Sequence, residues 1–307
     1  MNHSINESLR HQDLPDSCLY VVSTPIGNMA DITFRAAYVL GEVDGIACED
    51  TRHTLHLLNF LGIQKPLIAI HDHNEVTAAQ KLLTLISQGQ KWAYVSDAGT
   101  PGISDPGAKL VNIMVQAGMR VIPIPGVSAV STVLSVSGIT TIHSEGRFQF
   151  FGFLPTKGRE RKALLQKIYT SPLSSVFFES PQRVKESLSE IGLALLNEDR
   201  TILIGRELTK KFETIHYVPS SQLLDWLKSD HLLKGEFCII VEGYHPIANN
   251  SDEPTEGSIN PQHLAKILSQ HLGSRQVAEV LSQTGLLSKN QAYSLALEVK
   301  KSDDDII

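Results

Sequence analysis

Residues 96–107 read SDAGTPGISDPG, directly after the apolar run WAYVS (92–96) and ahead of a stretch with helical spacing from about Pro106 to Ala117. Three glycines and two prolines in twelve residues rule out continuous helix or strand, because proline withholds an amide and glycine adopts backbone angles closed to other residues. Such a loop turns backbone N–H and C=O groups outward. Between a buried strand and a helix it forms the carboxyl-end turn of a βα unit, the place where parallel α/β sheets bind ligands. Within it Asp97 and Gly99 read as ligand-binding, whereas Asp105 before Pro106 reads as a helix N-cap with proline in the first turn.

The same grammar runs outward from this loop. LYVVS (19–23), GIAC (45–48), LIAI (67–70), WAYVS and RVIPI (120–124) alternate with helical stretches at Thr33–Val43, Thr51–Leu61 and Val76–Ser87, which predicts a parallel sheet. A second series follows: FQFFGF (148–153), SVFFE (175–179), TILIG (201–205), ETIHYV (213–218) and FCIIVEG (237–243), with helices near Arg159–Tyr169, Pro181–Leu196 and Ser220–Lys228. The strands near 203 and 216 have no helix between them, so this sheet is predicted to be mixed. The expected plan is therefore two α/β domains, 17–130 and 131–247, after a disordered leader, 1–16. A polar linker (248–261), a small helix-turn-helix-like module (262–302) and an acidic tail (303–307) follow.

Composition narrows the function. The 307 residues are 42% hydrophobic, and the formal charge of −6 gives no global case for a nucleic-acid coat or a polybasic membrane binder. Cys18, Cys48 and Cys238 form no C-x-x-C pair, which points to a reducing, cytoplasmic setting without a disulfide framework. The longest uncharged stretch, Val121–Ser144, is broken by proline and glycine and does not read as a membrane span.

Three further turns sit where strands end. TPIGN (24–28) places Pro25 and Gly27 in a tight turn; CEDTRH (48–53) puts Glu49 and Asp50 after the second strand; PIPGVSA (123–129) ends in the small residues Ser128 and Ala129. An acidic residue about twenty positions beyond a glycine-bearing first turn suits a ribose, although Asp50 or Thr51 also suits a helix cap. No G-x-G-x-x-G, P-loop or G-x-S-x-G motif is present. His53 and His56, and His71 with His73 beside Asp72, lack a third cluster to complete a metal site, so no metal is expected.

Taken together, TPIGNMADITFRA, CEDTRHT, HDHNE, SDAGTPGISDPG, IPGVSA, GFLP, ESPQR, RELTKKFETIH and KGEFCIIVEG resemble the tetrapyrrole methylase family of S-adenosylmethionine-dependent methyltransferases, over about Leu19 to Gly243. The resemblance is strongest to the branch that methylates the ribose 2′-hydroxyl of a cytidine in 16S rRNA of the 30S subunit. It implies a homodimer without metal, with S-adenosylmethionine in a cleft between the two α/β domains. By motif position Pro25, Gly27, Asp97, Gly99, Pro101, Ile103, Ser128 and Ala129 would line that cleft from the first domain, and Phe151 and Leu208 from the second. Gln182 departs from the pattern, standing where close relatives commonly carry His.

Methyl transfer to a hydroxyl requires alignment and proton removal. Glu49, Asp50, His71, Asp72 and Glu75 follow strands two and three at the presumed cleft edge, with Glu49 or Glu75 expected as base. Lys157, Arg159, Arg161 and Lys162, with Arg206, Lys210 and Lys211, form two local basic groups expected to contact RNA phosphates, the terminal helices adding a second grip. Two alternatives stay open: a methyltransferase acting on a tetrapyrrole or corrinoid precursor, and a non-catalytic RNA-binding factor.

Overall fold

The computed structural model describes residues 7–9, 11–71, 74–139, 146–229, 234–244, 261–269, 271–284 and 287–304. Asp72 and His73 lie outside them, as does the linker apart from Pro261. The chain divides into two compact units, Met1–His245 and Pro246–Ile307.

The first unit opens with five parallel strands, β1 (Cys18–Val22), β2 (Gly45–Cys48), β3 (Leu67–Ala69), β4 (Trp92–Val95) and β5 (Arg120–Ile124), in the order β3-β2-β4-β1-β5. β2 and β4 are buried at every position, as a parallel sheet covered on both faces requires. Helices α1 (Phe34–Glu42) and α2 (Thr51–Leu61) cover one face, packing Val39, Leu40, Leu57 and Leu58 against Tyr20 and Ile46. Helices α3 (Glu75–Ser87) and α4 (Ala108–Gln116) cover the other, packing Leu82, Ile86, Leu110 and Met114 against Leu19, Ala47 and Tyr94. The chain therefore leaves β4 toward one face and leaves its neighbours β1 and β2 toward the other. That divergence opens a crevice on both sides of the carboxyl end of β4, where the SDAGTPG loop begins.

The second sheet holds β6 (Phe148–Phe153), β7 (Ser174–Glu179), β8 (Thr201–Arg206), β9 (Thr214–Pro219) and β10 (Phe237–Val241), in the order β6-β7-β10-β8-β9. Only β6 and β7 pair parallel, and β8 and β9 form the helix-free antiparallel pair that their spacing predicts. Helices α6 (Gly158–Thr170), α7 (Val184–Ala194) and α8 (Leu223–Trp226) cover one face. The other face packs against helix α5 (Ala129–Ser135) through Val130 and Val133. Thus α5 straddles the expected boundary at 130 and belongs by packing to the second sheet.

At the end of the expected leader, residues 14–16 make fixed contacts. Leu14 packs on the core of the first sheet, the Pro15 carbonyl accepts from the Tyr20 hydroxyl at 2.8 Å, and Asp16 pairs with Lys91. In the second unit, α9 (Pro261–Ser269), α10 (Ser274–Gln283) and α11 (Lys289–Asp304) gather around Ala265, Val277, Leu281 and Ala292. α11 runs through Asp303 and Asp304, so the expected acidic tail begins as helix. Among the described residues no helix is long and apolar enough to cross a membrane.

One cap connects distant parts of the first sheet. The N-cap of α4 is Gly107, not Asp105, and it supplies no capping side chain. Glu75 fills the role from α3: its Oε1 accepts from the amides of Gly107 (3.1 Å) and Leu110 (3.2 Å), and Lys109 lies 3.6 Å from its Oε2. With 3% of its surface exposed, Glu75 is an interior cap, which corrects the expectation that it is a base. Glu75→Ala should destabilise the protein by about 1–3 kcal/mol. In a thermal melt that lowers Tm by several degrees, at roughly 2–4 °C per kcal/mol for a domain of this size.

Candidate active site

The loops after β1, β4 and β5 are tied together by hydrogen bonds at their roots. Thr24 and Gly99 exchange backbone bonds, Thr24 N–H to Gly99 carbonyl at 2.9 Å and the reverse at 3.0 Å. The Ser23 and Thr100 hydroxyls lie 2.9 Å apart, and Thr100 donates to the Val127 carbonyl at 3.0 Å. Gly99 has φ +82°, a conformation that an L side chain rarely adopts, and an added Cβ would press on Ile26 at 3.3 Å.

Beside this knot lie two chambers. The first, of about 370 Å³, is walled by Ile26 and Ile103 from the turns of the parallel sheet, by Ala129 at the start of α5 and by Phe153, Phe178 and Leu208 from the mixed-sheet side, with Asp105 at its edge. The second, of about 350 Å³, is lined by Pro25, Gly27, His53, His56, Asp97 and Lys210. They share Ile26, Ala98 and Glu236 and form one cleft. On the parallel-sheet side its walls include the turns after β1, β4 and β5.

Electrostatics differ between the chambers. Burial, reinforced by the charges of Glu49 and Asp97 and offset by a hydrogen bond with Ser96, pushes the Asp105 carboxyl up to about 6. In the second chamber Asp97 is committed to protein partners. Its Oδ1 accepts from the Asp50 amide at 3.0 Å, and its Oδ2 lies 2.8 Å from His53 Nδ1. Lys210 pairs with Glu207 and Glu236, at 3.1 and 2.8 Å, and its stem lies against Gly27.

Residues 18–224 match the model of the tetrapyrrole (corrin/porphyrin) methylases. The chain belongs to this family. It is 44% identical to ribosomal RNA small subunit methyltransferase I of Escherichia coli O157:H7, over 94% of this chain and 98% of that protein. In fold it is similar to cobalt precorrin-4 methyltransferase, a cobalamin biosynthetic enzyme (TM-score 0.56, 16% identity, 74% of this chain and 95% of that one). It is also similar to uroporphyrin-III C-methyltransferase of Thermus thermophilus, solved with S-adenosylhomocysteine (TM-score 0.50, 16% identity, 73% and 96%).

In this methylase the cleft gathers Gly99, Ile103, Ser128, Ala129 and Leu208 around the first chamber, and Pro25, Gly27 and Asp97 around the second. Pro101 and Phe151 line neither chamber. Phe151 packs into the helix-covered core of the mixed sheet. A register shift in the β6–β7 ladder between Phe150 and Phe153, with Gly152 at φ +64°, swings Phe153 to the cleft instead. There it meets Phe178 edge-on at 5.5 Å.

The catalytic candidates also separate. Asp50 caps α2 through the Arg52 amide and pairs with the Arg52 guanidinium, whose hydrogen bonds hold its carboxyl well below the usual range. Glu49 is close to the cleft, its Oε2 3.4 Å from the Asp97 amide. His71 follows β3, the edge strand, and is separated from β4 by β2. Among the basic residues, Lys157, Arg159 and Lys162 are exposed on α6 or at its cap. Arg161 is 5% exposed and bound to Glu190, Ser187 and the Pro155 carbonyl, so it is structural and the RNA contact expected of it is corrected. Arg206 donates to the carbonyls of Lys234 and Phe212 and shapes that loop. Gln182 is exposed beside Pro181 of the first chamber's wall.

Sequence reading missed Asp105 and His53 as cleft residues. The hydrogen bond from His53 spans 44 positions, and Asp105 resembled a cap that Glu75 actually provides. Because folding raises the Asp105 value from 3.8 to about 6, its stabilising contribution is full below the lower value and is lost as pH rises through the higher one. Asp105→Asn should therefore melt above wild type at about pH 8, and the difference should vanish near pH 4.

Proposed function

We propose that this methylase transfers the methyl group of S-adenosylmethionine to the ribose 2′-hydroxyl of a cytidine in 16S rRNA of the small ribosomal subunit. The observation that carries this reading is a pair of joined chambers, one largely apolar and one with His53, His56, Asp97 and Lys210 in its wall, in a chain 44% identical along nearly its whole length to an rRNA methyltransferase. The first chamber suits the donor. Ile103, Ala129 and Leu208 offer apolar walls to a flat base, and Asp105 offers an anion to a cationic ligand.

When bound, S-adenosylmethionine supplies a methyl group already activated by its positive sulfur. The protein must then hold the acceptor oxygen in line with that methyl and keep the closed chamber dry. The second chamber, which shares a wall with the first and carries His53 and Asp97, is where the acceptor ribose would reach it. Pro101 and Phe151 have no direct part in this arrangement.

The polyanionic acceptor is met by Lys157, Arg159 and Lys162, which follow directly from β6, the strand whose end lines the first chamber. Lys211 lies over the exposed Phe212 ring at 5.6 Å on the loop between β8 and β9. As a homodimer the protein would present each basic group twice, and a ribosomal substrate places it in the cytoplasm.

Incubation with tritium-labelled S-adenosylmethionine and isolated 30S subunits, naked 16S rRNA or a uroporphyrin-type tetrapyrrole tests the reading. Label should enter the RNA and protect one linkage from alkaline hydrolysis, as 2′-O-methylation does; label in the tetrapyrrole alone would overturn it. Arg159→Ala with Lys162→Ala should weaken RNA binding most at low salt and reduce the salt slope by about two, roughly one per lost phosphate contact. Arg161→Ala should instead lower Tm at every salt concentration.

A further inference from the structure

We infer that His53, oriented by Asp97, takes the proton from the acceptor hydroxyl. This rests on the methyltransferase reading above and deepens it by naming the base. A carboxylate only accepts hydrogen bonds, so the 2.8 Å contact with Asp97 Oδ2 requires His53 Nδ1 to donate. The proton is thereby fixed on Nδ1, and Nε2 carries the lone pair. The side chain is 65% exposed and lines the acceptor chamber.

The start of α2 is built to hold the pair. Asp97 Oδ1 accepts from the Asp50 amide while Oδ2 meets His53, so one carboxylate fixes both the helix start and the ring on its first turn. The Asp97 amide in turn lies 3.4 Å from Glu49 Oε2. Of the carboxylates named as bases from sequence, Glu75 caps α4 in the interior, Asp50 caps α2, and Glu49 accepts from that amide. Asp105 belongs to the other chamber.

The charged surroundings of the ring come from both sheets. Asp50 and Asp97 act on it from the parallel-sheet side, Asp50 itself paired with Arg52 and the Asp97 amide bonded to Glu49, and His56 stands one turn on along α2. Lys210 and Glu236 face the same chamber from the mixed-sheet side. In the step proposed, the 2′-hydroxyl proton passes to Nε2 as the oxygen lone pair forms the bond to the methyl carbon. The carbon–sulfur bond breaks, its electron pair stays on sulfur, and S-adenosylhomocysteine results. The imidazolium, stabilised by Asp97, then gives its proton to water.

The rival role is a latch that joins α2 to the end of β4. His53→Asn separates the two, since an amide N–H can replace the Nδ1 donor to Asp97 but offers no base; His53→Gln is the second variant. Turnover on 30S subunits, Tm and calorimetric affinity for S-adenosylhomocysteine are measured for each, with turnover followed across pH. Loss of a general base predicts a fall in kcat of about 10²–10⁴-fold, with inhibitor affinity and Tm retained. The wild-type rise in kcat with pH to a plateau should also give way to a rise without plateau. Retention of wild-type kcat and pH profile by His53→Asn would overturn the assignment. Absence of methyl transfer to RNA by the wild type would overturn the parent reading as well, so the two failures are told apart by the wild-type lane.

Discussion

The reciprocal backbone pair between Thr24 and Gly99 is the constraint on which the cleft depends. β1 and β4 are neighbours whose following loops depart toward opposite faces, and without a tie those loops would be free to splay. Two amide–carbonyl bonds, supported by the Ser23–Thr100–Val127 chain, hold three carboxyl-end turns at one height. Glycine at 99 is a consequence of that tie, because the pairing places the residue at φ +82° with Ile26 packed alongside. The same crossing sets Ala98 in the wall shared by both chambers.

From this point the chemistry of the two chambers diverges. On the first-chamber side, apolar walls from two sheets desolvate Asp105 and raise its affinity for a proton, which a bound cation would relieve. In the second chamber both carboxylate oxygens of Asp97 are engaged, holding a backbone amide and an imidazole together. Two aspartates eight positions apart in one loop thus serve different ends. The difference comes from burial and partners rather than residue type. The basic residues divide the same way: Arg161 is consumed by the α6–α7 packing, while its neighbours Arg159 and Lys162 remain in water.

The architecture was legible because buried parallel strands are continuous apolar runs, and β8 and β9 are too close in sequence for a crossover helix. The position of the cleft was legible for the same reason, since proline- and glycine-rich turns mark strand ends. What escaped were effects of long sequence separation. Glu75 reads as a surface carboxylate at a strand exit until the Gly107 amide is seen to need an acceptor. Phe151 and Phe153 share one face of an ideal strand, and only the bulge at Gly152 sends them apart. His53 reads as half of a short histidine pair, and nothing local reveals that Asp97 reaches it from β4.

A crystal structure with S-adenosylhomocysteine asks whether the tied turns form the donor site. Ligand density is expected in the first chamber, with the base between Ala129 and Leu208, the amino acid portion near Asp105 and the sulfur turned toward the wall shared with His53's chamber. Density in the second chamber, or at any site not bounded by the 98–105 loop, would contradict it.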